Sequence, residues 1–203
     1  MRLYPLFLLV ATVTVVSPGP GVVMTITSAL RCGVRGTFGG ILGIAGGALV
    51  VAAISATSLG ALLSASSWAF TVLKFTGAGY LVYLCVRLWR APAVSLMTRP
   101  AKEAGFGRRF FEGLSLQLTN PKAVFFFLSV LPQFIDTEQN YLVQFVALVL
   151  TYSLLVIGIH SAYAFFAKRA HGWLLSRRGG RAVNRAAGAA FVFFGGALAT
   201  AKR

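Results

Sequence analysis

Residues 17–21 read Ser17-Pro18-Gly19-Pro20-Gly21, and they interrupt a run that is otherwise almost wholly apolar from Leu3 to Ile26. Proline lacks the N–H that a helix needs and glycine is entropically costly inside one, so SPGPG is a strong helix breaker. It falls within a stretch long enough to cross a bilayer. Backbone groups freed at that depth are tolerated only where protein or water can satisfy them, so the break predicts a polar cavity beside it.

The rest of the composition sets the solvent. Of 203 residues, 57% are hydrophobic and 11% charged, and the mean hydropathy is +0.78. A soluble domain does not cover so much apolar surface with so few charges, and the chain reads as an all-α integral membrane protein. The net charge of +15 sits in short segments between apolar runs, with no basic face interleaved with aromatics, which argues against nucleic acid as a partner. The N-terminal segment lacks the small-x-small cleavage pattern of a secretory signal, and five more apolar segments follow it. Cys32 and Cys85 are too few for a disulfide framework, and without a CxxC or a His/Cys cluster no metal or cofactor is expected.

About 20 apolar residues span a bilayer core, which marks six segments: 3–26, 38–62, 68–89, 110–135, 142–167 and 183–199. Short loops rich in Lys and Arg stay in the cytoplasm. The loops after spans one, three and five carry fourteen of the 19 Lys and Arg residues, among them Arg31, Arg35, Arg108, Arg109, Lys168 and Arg169. Arg2, Lys202 and Arg203 lie on the other side, so both termini are expected outside, in the periplasm of a bacterial inner-membrane protein. The remaining two basic residues, Lys74 and Lys122, fall within spans.

Three spans per half is an odd number, so a duplicated half would be inverted relative to its twin. SPGPGVVM from Ser17 sets against TNPKAVFF from Thr119, pairing Ser17 with Thr119 and Val22 with Val124. KFTGAGYLV from Lys74 sets against RAAGAAFVF from Arg185, pairing Gly77 with Gly188. The expected architecture is one transmembrane domain, 1–203, built of two inverted three-helix repeats (about 1–90 and 108–203). Helices 1 and 4 are broken, and a basic cytoplasmic loop spans 91–107. Gly39, Gly43 and Gly47 recur every four residues in the second span, a face suited to close helix packing.

Lys122 lies near the centre of the fourth span, where a charge costs about 2.5–3.5 kcal/mol and usually marks a pathway. Its natural partners are a substrate carboxylate or the carbonyl end of a helix. No acid lies mid-span to neutralise it. Asp136 and Glu112, at the two ends of the same span, and His160 in the fifth are the groups available for proton coupling, although helix-end acids are commonly solvated and a lone histidine is commonly a packing residue.

Together SPGP, GVRGTFGGILGIAGG, GAGYLVYL and TNPKAVFFFLSVLPQF make the chain resemble the LysE/RhtB family of bacterial amino-acid exporters over essentially its whole length. The resemblance implies export of amino acids or their derivatives driven by the proton motive force, in a homo-oligomer, with no enzymatic activity. The matching motif positions, taken as substrate-binding, are Ser17, Pro18, Gly19, Pro20, Asn120, Pro121 and Lys122, with Gln133 beside Pro132 and Phe134. Cys85 stands where a small residue, usually glycine, is expected. Two other readings are a membrane thiol redox protein using Cys32 and Cys85, and a passive channel. Neither a CxxC spacing nor a ring of charges favours them.

Overall fold

The structure is a computed structural model that describes residues 3–17, 19–65, 105–136 and 138–176, together with isolated positions between 72 and 90 and between 178 and 196. Most of spans three and six, with the second repeat pairing, lies outside the described residues, as do Pro18 and the side chains of 57–65. The described residues are helical and include no strand.

Helix α1 runs Tyr4–Val16 and α2 Pro20–Ala65; α3 is Phe106–Leu118 and α4 Pro121–Phe125. A π turn, Phe126–Val130, and a 3-10 turn, Leu131–Phe134, extend α4, and α5 runs Tyr141–Leu175. The widened turn precedes Pro132, whose ring has no N–H to donate and crowds the carbonyl one turn back.

Helix α2 is two limbs. At Gly33 the backbone takes φ 69° and ψ 179°, a left-handed φ that glycine alone tolerates readily. The chain reverses there: a methyl group built on Gly21 would lie 3.5 Å from Ile44, and one on Gly40 would lie 2.8 Å from Met24. Residues 20–32 therefore finish the first span and residues 34–65 form the second, with Arg31 and Arg35 flanking the corner. Sequence reading ends the first helix earlier and places these arginines in a loop; the structure keeps the backbone helical up to the single reversing glycine.

The second limb packs along α3 through the glycine face. A side chain on Gly39 would meet the Phe106 carbonyl at 2.7 Å, one on Gly43 would run into the Phe110 carbonyl, and one on Gly47 would meet Gln117 at 2.7 Å. Gly113 of α3 answers them by lying against the Gly40 carbonyl. Small residues on both helices bring the backbones into contact, which in an apolar medium is a main source of helix association.

Helix directions follow from these pairings. Residues 39, 43 and 47 meet 106, 110 and 114–117 in ascending order, so the second limb and α3 run parallel. Tyr4 bonds Thr151 at 3.0 Å and Tyr163 bonds the Val16 carbonyl at 2.7 Å, so α1 and α5 also run parallel. The odd and even spans described are thus mutually antiparallel. Arg109 reaches Cys32 Sγ at 2.7 Å, and Ala29 clusters with Ala164 and Ala167. The Gly33 corner, the start of α3 and the basic end of α5 therefore share one end of the molecule.

The burial pattern is that of a membrane protein. Leu154 is 68% exposed and Phe165 69%, whereas Ser17 is 1% exposed and Gln117 3%. Exposed leucine and phenylalanine on long helices, with hydroxyls and amides inside, suit lipid as the surrounding medium. Among the described residues, Tyr141–Ala167 is a single helix long and apolar enough to cross a membrane; Pro20–Ala56 is as long and apolar but is divided between two spans by the reversal at Gly33, and Phe106–Leu118 with Pro121–Phe134, bent by 55° at their junction, forms a broken pair.

Candidate functional site at the two helix breaks

Each break is made by the residue before a proline. Proline's ring pushes its predecessor out of the helical region, and Ser17 (φ −61°, ψ 136°) and Asn120 (φ −78°, ψ 107°) are both extended. The following helix then starts on a proline, Pro20 or Pro121, whose missing N–H costs nothing at a first turn. Both prolines are exposed, so they shape the breaks without lining the interior.

The two broken helices run antiparallel and meet where they are broken. Phe7 packs on Phe134 and Phe126, with ring centroids 5.4 and 6.2 Å apart. About two and three turns further along α1, the ammonium of Lys122 lies 2.8 Å from the Thr14 carbonyl, 3.1 Å from the Ser17 carbonyl and 3.0 Å from Ser17 Oγ. These oxygens form the C-terminal end of α1, where the helix dipole is negative and the last carbonyls lack intrahelical partners. The lysine thus finds the carbonyl end of a helix, one of its two expected partners, and this offsets its burial. Gly19 gives it room: a methyl group there would stand 3.3 Å from Nζ.

Beside this contact lies a cavity of about 20 Å³, lined by residues that include Gly19, Gln117, Asn120, Lys122, Tyr152 and His160. That space holds roughly one water molecule, so the site is closed to anything of amino-acid size. Asn120 caps α4 through its Oδ1, which accepts the Lys122 N–H at 3.1 Å, and its amide meets Gln117 Oε1 at 3.4 Å. His160 is buried, with Nδ1 2.7 Å from Thr25 Oγ1. The resulting surface holds one ammonium, two amides, an imidazole and a phenol, with no carboxylate among the lining residues.

Of the residues expected to form the site, Ser17, Gly19, Asn120, Lys122 and His160 come together here, and Pro18 lies outside the described residues. Gln133 sits away from the cavity, with its amide on the Ser129 carbonyl at 3.3 Å. Asp136 shapes the turn before α5, its Oδ1 accepting the Glu138 N–H at 3.0 Å and its backbone joined to Gln144 at 2.9 and 3.0 Å. Glu112 pairs with Arg108 at 3.1 Å on an exposed face of α3. Thr14, Thr25, Gln117 and Tyr152 belong to the site and escape sequence reading. Gln117 alone carries a signal there, as a polar residue one turn before Asn120. The cysteines have unlike surroundings: Cys32 contacts Arg109, and Cys85 is buried in the main apolar cluster, both as free thiols.

An all-helical membrane protein with a buried polar site where two antiparallel broken helices meet has the outline of a small-molecule carrier. The family model described as LysE type translocator matches residues 12–202, and the chain belongs to that family. Members of this family are transporters, in keeping with a chain that is not an enzyme. The chain is 33% identical over 196 residues to a homoserine/homoserine lactone efflux protein of Salmonella typhimurium, covering 97% of this chain and 95% of that protein. It is 32% identical over 196 residues to an uncharacterized membrane protein of Vibrio cholerae, covering 97% and 96%. A leucine efflux protein of Salmonella choleraesuis is 31% identical over 135 residues, 66% of this chain and 63% of that protein. No solved structure matches.

Proposed function

We propose that the protein exports amino acids or their derivatives across the bacterial inner membrane by alternating access around the two helix breaks, in antiport with protons. The observation that carries this reading is the Lys122 ammonium held on the α1 carbonyl end beside a small polar cavity. A contact joining two discontinuous helices can break in one state and form in another, which is what differential binding across states requires. The efflux functions named for the relatives support the direction of transport.

In this reading the chain is a single domain of two inverted repeats, about 1–90 and 108–203, with the basic segment 91–107 and the Gly33 corner in the cytoplasm and both termini outside. Copies of it form a homo-oligomer. Ser17, Gly19, Asn120 and Lys122 frame the substrate, and Pro18, Pro20 and Pro121 set the breaks that place them. His160 couples the proton, favoured over Asp136 and Glu112 because it lines the cavity while they serve a turn and a surface pair.

Cells expressing the protein are expected to resist a toxic amino-acid analogue and to lose that resistance with Lys122→Ala at an unchanged protein level. Retained resistance in the variant removes Lys122 from the site. Collapsing the proton gradient in vesicles is expected to stop uphill export, and export that continues rules out proton antiport.

A further inference from the structure

We propose that the C-terminal end of α1 is an ammonium site which Lys122 fills in this structure and which the substrate's own ammonium takes over, releasing Lys122 to the C1 oxygen of that substrate. This deepens the export reading and rests on it. Three oxygens from one helix end, the carbonyls of Thr14 and Ser17 and the Ser17 hydroxyl, lie 2.8–3.1 Å from Nζ. That set matches the three donors of any primary ammonium and is charge-complementary to it. The cavity wall at this point is Gly19 and Lys122 itself, so an incoming amine reaches the same oxygens from the cavity side.

The exchange conserves charge at the helix end, because one ammonium replaces another. The displaced lysine then needs an acceptor, and the carboxylate or carbonyl at C1 of the same molecule supplies it. A free amino acid has both groups on one carbon, as does an amino-acid lactone. An acid without the amine cannot displace Lys122, and an amine without the C1 oxygen brings it no replacement for the α1 carbonyls.

The charge inventory narrows the class. The chain has four acids, Glu103, Glu112, Asp136 and Glu138. Glu112 lies in a surface pair, Asp136 and Glu138 lie in the turn before α5, and Glu103 lies in the basic segment between spans. A substrate with a second cationic group brings a charge that no carboxylate among the described residues of the site balances, and burying an unbalanced charge is strongly unfavourable. The accepted class is therefore amino acids and derivatives with one primary ammonium and no cationic side chain.

The test is counterflow in proteoliposomes of the full chain, using labelled homoserine and each neutral protein amino acid. For whichever moves, the 2-hydroxy acid counterpart is expected to compete at least about tenfold more weakly, since charge-assisted bonds are lost. Lysine is expected to be equally poor. In detergent, methylammonium is expected to raise the melting temperature of Lys122→Met and leave the wild type unmoved, a rescue that a purely structural lysine does not predict. Equal competition by the hydroxy acid, or lysine moving as fast as the neutral substrate, overturns the exchange while leaving export standing. No counterflow of any of these amino acids brings down the export reading and this one together.

Discussion

At the first break the carbonyls of Thr14, Val16 and Ser17 accept hydrogen bonds from Lys122 and Tyr163, donors more than 100 residues away in sequence. At the second break the work is local. Asn120 Oδ1 accepts from Lys122 N–H at 3.1 Å, and the Thr119 hydroxyl turns back to the Ser115 carbonyl at 2.9 Å. Both breaks arise from a residue forced into extended backbone before a proline. They differ in what happens to the groups that the break frees. The second break is a helix cap that its own residues complete, whereas at the first only the Thr14 carbonyl has a local donor, the Ser17 hydroxyl at 2.8 Å, and the Val16 and Ser17 carbonyls are met by distant ones. A feature completed from a distance can be undone by motion of its distant partner, and this makes the first break the part of the molecule suited to change state.

Substitutions can break or sharpen this contrast. Lys122→Met removes the long-range donor to two carbonyls and is expected to cost the most, about 2–3 kcal/mol of stability, read as a lower unfolding temperature in detergent. A loss no larger than that of Asn120→Ala ends the distinction between the breaks. Tyr163→Phe takes the donor from Val16 and is expected to cost about 1 kcal/mol; an unchanged unfolding temperature shows that this carbonyl does not need it. Asn120→Ala removes the α4 cap, with a loss of about 0.5–1 kcal/mol that Asn120→Asp restores. If aspartate fails to restore it, the local description of the second break is incomplete. Glu112→Gln, in an exposed pair, is expected to change stability by no more than about 0.5 kcal/mol and to leave export at the wild-type rate; a loss of export returns Glu112 to the coupling pathway.

The same contrast marks what could be read in advance. Prolines and glycines act on their own neighbours, so both breaks were legible at their positions, as was the spacing of Gly39, Gly43 and Gly47. The mid-span position of Lys122 was legible as well, because an isolated charge in an apolar run is conspicuous whatever the fold. Gln133, Asp136 and Glu112 looked comparable to His160 as polar residues near a motif. Only His160 faces the cavity, and nothing within a few residues of any of them encodes that.

By itself the sequence determined the solvent, the helical class and the places where helices must stop, because composition and backbone chemistry are local properties. The tertiary structure decided the reversal at Gly33, the choice of the α1 carbonyl end as partner for Lys122, and the pairing of His160 with Thr25 across 135 residues. These depend on which faces meet when the helices pack. That outcome is set by the joint fit of the glycine surfaces and the apolar clusters, and no short stretch of chain contains it.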